Sequence, residues 1–154
     1  MKIRITVGET EKLNGYINID PITKFDELAV DIRNIDEVVS DAECTEIISE
    51  GVIDFLEKEE SMKVLSHWIK KLRHGGRIVV TSIDAREVSR SFYKKEIDIE
   101  IFNKAMHGNF SEPWDVHLSH STVEELSDFF ESQNLNVTKK RINGIKLIVE
   151  AERP

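Results

Sequence analysis

Two residues in this chain have the types and positions for acid–base chemistry. His117 closes the run Trp114-Asp115-Val116-His117 in an irregular stretch that also holds Gly108 and Pro113. A histidine changes charge near neutral pH, so beside a ligand it can take a proton from a nucleophile, and Asp115 could lie close to it. Asp84 follows the apolar run Ile78-Val79-Val80; open α/β sheets collect ligands outside the carboxyl ends of such strands. Each also has a plain structural role, His117 in a loop hydrogen bond and Asp84 as the cap of the next helix. His107, His117 and His120, with Glu112 and Asp115, are donor types that suit zinc or iron. Spread through an irregular loop they do not add up to a ligand set, and no metal is expected. Cys44, the one cysteine, lacks a basic neighbour in sequence and reads as structural. Trp68 and Trp114 read as core and loop anchors.

These residues need elements to position them. Lys2 to Val7 alternates polar and apolar residues and reads as a strand ended by Gly8; Tyr16 to Asp20 reads as a second, stopped by Pro21. The short link between them favours a hairpin, because a parallel crossover normally needs a dozen or more residues. A parallel pair requires a crossover shrunk to about one helical turn. Residues 23–39 are acidic and irregular, and Glu46 to Ser49 is a short strand before a loop at Glu50-Gly51. Glu57 to Arg73 is the clearest helix: Met62, Leu65, Trp68, Ile69 and Leu72 make one apolar face, with acidic residues leading and basic ones closing. Gly75-Gly76 is expected to stop it, and Arg77 to Ser82 to follow as a strand. Residues 85–106 read as mostly helical, although Ile97, Ile99 and Ile101 alternate. Ser121 to Ser132 reads as a helix with a Ser121/Glu124 capping box. The chain closes in a hairpin around Asn143-Gly144.

The 154 residues suit one domain over 1–154. A net charge of -8 argues against a general nucleic-acid partner. Lys139, Lys140 and Arg141 do not change that, since a strand splits them between faces. A single cysteine, no signal-like N-terminus and no membrane-length apolar run point to a cytoplasmic chain without a membrane partner.

The words G-Y-I-N-I-D (15–20), D-I-R (31–33), G-V-I-D-F (51–55), W-I-K-K-L-R-H-G-G-R-I-V-V (68–80) and W-D-V-H (114–117) occur in an order that resembles small class I S-adenosylmethionine-dependent methyltransferases. The resemblance implies a Rossmann-like α/β sheet, mostly parallel, with a C-terminal antiparallel hairpin and helices on both faces. It implies S-adenosylmethionine as cofactor and methyl transfer to an acceptor that the sequence does not name. Gly8 then matches the first glycine of the cofactor turn, while Glu9 and Thr10 replace the cysteine and glycine expected next, a degenerate form of the motif. Asp20 matches the acidic residue that would take the ribose hydroxyls, and Asp31 the position near the adenine. Glu50 and Gly51 fall beside the strand where the family carries two histidines that this chain lacks. His117 would be the base, with Asp84 able to orient or deprotonate an acceptor. The altered turn equally fits a methyltransferase-like domain that has lost its cofactor and serves as an interaction or structural module. A different doubly wound domain binding another nucleotide also stays open. Small size makes a homodimer, or a second protein completing the site, a further expectation.

Overall fold

The computed structural model describes residues 1–9, 11–22 and 29–154. Six strands form one sheet in the order β2-β1-β3-β4-β6-β5. The strands are β1 (Lys2–Ile5), β2 (Ile17–Ile19), β3 (Cys44–Glu50), β4 (Leu72–Ile83), β5 (Asn136–Asn143) and β6 (Lys146–Glu152). Helix α1 (Lys58–Lys71) connects β3 to β4; α2 (Ala85–Tyr93), α3 (Ile99–His107) and α4 (Val123–Ser132) lie between β4 and β5. β1 to β4 run parallel, and β6 and β5 add antiparallel to β4, as expected for a mostly parallel sheet closed by a hairpin.

The hairpin expected between the first two strands is not formed: β1 and β2 are parallel, with Ile3 opposite Ile17 and Ile5 opposite Ile19. No helix spans the described part of the link. Side-chain hydrogen bonds hold the short crossover instead. Asn18 accepts from the Leu13 amide at 2.9 Å and donates to the carbonyls of Leu13 and Tyr16 at 3.1 and 3.0 Å. The Asp20 carboxylate takes the Thr6 hydroxyl at 3.0 Å and the Glu9 amide at 2.9 Å. Backbone polar groups that a crossover helix would satisfy internally are satisfied here by the side chains of Asn18 in β2 and Asp20 just past it.

The Gly75-Gly76 pair does not stop α1. The helix ends at Lys71, and Leu72 is already extended and paired with Cys44. The next pair is Glu46 with Arg77, so Arg73 to Gly76 bulge out of the ladder. Gly75 takes φ +73°, and a Cβ on Gly76 would lie 2.7 Å from the Cys44 carbonyl oxygen. The glycines therefore make the bulge. Two smaller shifts have similar local causes. Thr122 rather than Ser121 caps α4, accepting from the Glu125 amide at 3.1 Å. The final turn is Gly144-Ile145, closed by Asn143 opposite Lys146, with Gly144 at φ +63°. Ile99 and Ile101 are helical, because the Asp98 side chain caps α3 through the Ile101 amide.

The core lies on one face of the sheet. Register puts Ile3, Ile47, Ile78 and Ala151 in one row and Ile5, Ser49, Val80 and Val149 in the next. Leu65 and Trp68 of α1 and Leu126 and Phe130 of α4 join these side chains in one buried cluster. The Trp68 indole donates to the Ile32 carbonyl at 2.8 Å, which ties the irregular segment after residue 29 to α1. Buried Lys71 makes a second tie, with Asp36 and with Asp41 at 2.6 Å. Helices serve the two faces unequally. The opposite face shows Ile48, Val79 and Ile148 half-buried among Arg4, Glu46, Arg77 and Glu150. There, α3 stands over the carboxyl end only, and a cavity remains beneath it.

Candidate functional site

The cavity opens at the carboxyl ends of β3 and β4 and has a volume of about 640 Å³. Glu9, Glu50 and Gly51 line one side, Asp54, Ser82 and Ile83 another, and Lys104 and Ala105 of α3 with His117 a third. A pocket of this size suits a small molecule. Its position is the one that a parallel sheet reserves for ligands, since the strand ends leave backbone groups and loops free to face a guest.

Of the residues singled out in the sequence, the structure brings Glu9, Glu50 and His117 into this wall. The Glu50 carboxylate is held by the Arg4 guanidinium, with oxygen–nitrogen distances of 2.8 and 2.6 Å. His117 turns its Nδ1–H to the Ala105 carbonyl at 2.7 Å and packs edge-on against Phe55. A carbonyl can only accept, so Nδ1 carries the hydrogen, and in the neutral ring the lone pair sits on Nε2.

The others are placed differently. Gly8 is at φ +73°, and a Cβ there would lie 2.4 Å from the Trp114 ring; the indole sits on the turn. Asp20 is buried behind that turn, its oxygens taken by Thr6, Glu9 and the Ile22 amide at 3.0 Å. Asp31 is exposed and gripped by Arg33, whose hydrogen bonds hold its carboxyl below the usual range. Asp84 is buried and caps two helices: one oxygen accepts from the Glu87 amide at 2.9 Å, the other from the Val123 amide at 2.8 Å. Thr10 lies outside the described residues.

Asp115 does not hydrogen-bond to His117. Its buried carboxylate accepts from the Ser111 hydroxyl at 2.5 Å and from the Asn109 and Ser111 amides at 3.3 Å. Burial alone would raise its pKa. The Ser111 and backbone hydrogen bonds, helped by the nearby His117, outweigh burial and hold it below its ordinary value. Gly108 closes the same loop at φ +93°, where a Cβ would meet the Asp115 carbonyl oxygen at 2.5 Å.

One constellation was not visible in sequence. Asp54 lies in the single 3₁₀ turn after β3, buried, and accepts from the Ser82 hydroxyl at 2.5 Å and the Ile83 amide at 3.2 Å. A ligand atom from each of Asp54, His117 and His120 lies within 4.8 Å of the others. Sequence groups the two histidines with Glu112 and Asp115, but the fold gives them Asp54 from more than sixty residues upstream. The trace of Asp54 in the sequence is the aspartate of the word G-V-I-D-F, three residues past Gly51.

The strand order, the antiparallel closing hairpin and the cavity at the carboxyl edge define the fold of class I S-adenosylmethionine-dependent methyltransferases. Solved structures of that class superpose on the chain. A methyltransferase of Haloferax volcanii, solved in complex with its activator protein, is 10% identical with a TM-score of 0.64, covering 99% of this chain and 82% of that one. A Thermotoga maritima S-adenosylmethionine-dependent methyltransferase is 14% identical with a TM-score of 0.61 and the same two coverages, 99% and 82%. The Burkholderia thailandensis 1,6-didemethyltoxoflavin N1-methyltransferase, solved with its acceptor and S-adenosylhomocysteine, is 13% identical with a TM-score of 0.54 over 81% of this chain. This chain spans about half of its length, 49%. No family model matches the sequence, and no curated protein matches it.

Proposed function

We propose that the chain binds S-adenosylmethionine at the carboxyl edge of the sheet and transfers its methyl group to a small acceptor in the cavity under α3. The observation that carries this reading is the cavity itself: it lies at the ligand edge of a methyltransferase fold, with Glu9, Glu50 and His117 in its wall. The described residues fit the cofactor at that edge. Glu9 and Glu50 offer carboxylates to its ammonium and hydroxyl groups, and Gly51 is small enough for close approach. When bound, the cofactor supplies an electrophilic methyl group on a sulfonium.

The chain's own task is then positioning, together with proton removal where the acceptor is protonated. His117 suits the second, because the Ala105 carbonyl fixes its tautomer and leaves Nε2 to accept a proton. The closed loop around Asp115 holds His117 at the rim, and α3 shields the acceptor from water on one side. The buried Cys44 thiol, pushed up to about 11 by burial, is poorly nucleophilic; a chain with one cysteine suits a reducing, cytoplasmic setting. The net charge of -8 supports a small molecule rather than a nucleic acid as the acceptor. Among the described residues no helix is long and apolar enough to cross a membrane. We assign the whole of 1–154 to one such domain, and a homodimer is the assembly that its small size favours.

Two observations favour the second reading, a domain without cofactor: Trp114 sits on Gly8, and Asp20 is occupied by internal donors. Titration with S-adenosylhomocysteine, followed by calorimetry in every variant and by tryptophan fluorescence in the native chain, separates the two. Methyl transfer predicts saturable binding by the native chain, with a fluorescence change as Trp114 meets the ligand, and weaker binding by Glu50→Ala. Binding that appears only in Trp114→Ala, or in neither protein, decides for the second reading.

A further inference from the structure

Two imidazole rings close the end of α3. The carbonyls of Ala105 and Met106 belong to its last turn, where no further helical amide reaches them. His117 Nδ1 lies 2.7 Å from the first and His120 Nε2 2.7 Å from the second. Each of these nitrogens therefore carries a hydrogen, and in the neutral rings the lone pairs sit on His117 Nε2 and His120 Nδ1. His120 Nδ1 is buried and has no hydrogen-bond partner among the described residues. It lies 3.7 Å from Asp54 Oδ1, an acceptor facing an acceptor. Something positive is wanted between them.

The surroundings are those of a metal site. Each imidazole has its second nitrogen on a backbone carbonyl, and the carboxylate is steadied by Ser82 and the Ile83 amide. Such outer contacts fix ring tautomers and orient ligands toward an ion. We propose that Asp54, His117 and His120 bind a divalent first-row transition ion, with zinc the natural occupant of two imidazoles and one carboxylate. Asp54 and His117 also line the cavity, so the coordination positions left open face it and would take an oxygen or nitrogen donor of a small molecule. Ligand atoms around tetrahedral zinc sit roughly 3.3 Å apart. The Asp54–His120 pair, at 3.7 Å, is near that already, and His117 lies within 4.8 Å of both. An ion on Nε2 would end the role of His117 as a free base, so the ion replaces that function rather than adding to it.

The site shares His117 and the cavity with the methyl-transfer reading, but it is tested without cofactor, so the failure of one is distinguishable from the failure of the other. The tag-free 154-residue chain, stripped with chelator, is titrated with Zn²⁺ by calorimetry and with Co²⁺ by visible absorption. The expected result is one ion per chain, with Co²⁺ d–d bands of a four- or five-coordinate site. Binding should be weakened at least about tenfold by His117→Ala and by His120→Ala, and unchanged by His74→Ala. No binding up to millimolar ion would overturn the proposal, as expected if a proton rather than a metal sits between His120 and Asp54. Binding that survives His117→Ala would overturn it too. Should the buried His120 or Asp54 variants fail to fold, the loop variant His117→Ala decides alone.

Discussion

Asp84 shows how the fold separates chemistry from architecture at the scale of single residues. It stands past a central strand, where catalysis would be looked for, yet both carboxylate oxygens hold helix-starting amides, those of Glu87 in α2 and Val123 in α4. Removing one cap costs about 1 kcal/mol, and leaving two buried amides unpaired costs more. Asp84→Ala is therefore expected to lower stability by about 2–4 kcal/mol in urea unfolding; a loss under about 0.5 kcal/mol would contradict the double cap. Asp115 gives a pH prediction. Its folded pKa lies below the ordinary 3.8, so the unfolded chain binds more protons between the two values. Its contribution is thus fully present above the ordinary value and is lost as pH falls through the folded one. Acid below about pH 4 should loosen the loop, read as a change in Trp114 emission that Asp115→Asn shifts or removes. Of the candidate residues, His117, read from its loop, and Glu50, read from the resemblance, both come to the cavity wall. Asp54 was not legible, since nothing local marks a carboxylate that matters only when a distant loop brings histidines to it.

At the scale of elements, legibility followed how local the determining forces are. The apolar face of α1 and the closing hairpin are written in spacing and turn residues, and both formed, the hairpin with its turn displaced by one. The α4 cap shifted because Ser121/Glu124 and Thr122/Glu125 both satisfy the capping pattern; sequence cannot rank them, while the bridge from Ser121 to Asp84 does. The parallel β1–β2 pair was illegible for a different reason. A crossover held by Asn18 and Asp20 side chains leaves no periodicity to read. The Gly75-Gly76 bulge offers a direct check. Gly76→Ala would push a methyl group against the carbonyl oxygens of Cys44 and Arg73, at 2.7 and 2.9 Å. Backbone cannot yield as a side chain tip does, so the variant should lose about 1–3 kcal/mol. An unchanged denaturation midpoint would show that the bulge is soft.

For the whole molecule, the ordered words of the sequence carried further than any element. A central sheet with α1 and α4 on one face, α3 over the ligand edge of the other and a hairpin closing the end is the class I methyltransferase architecture, reached with only four α-helices among the described residues. What that architecture leaves at its carboxyl edge is a cavity walled by Glu9, Glu50 and a tautomer-fixed histidine, while a tryptophan sits on Gly8. The central claim is that this edge still takes the cofactor. Calorimetric titration of the native chain with S-adenosylmethionine tests it most directly. The account predicts one site of micromolar strength, about 8 kcal/mol. An absence of heat up to millimolar ligand, with the protein folded, would contradict it and leave a methyltransferase fold that serves something other than methyl transfer.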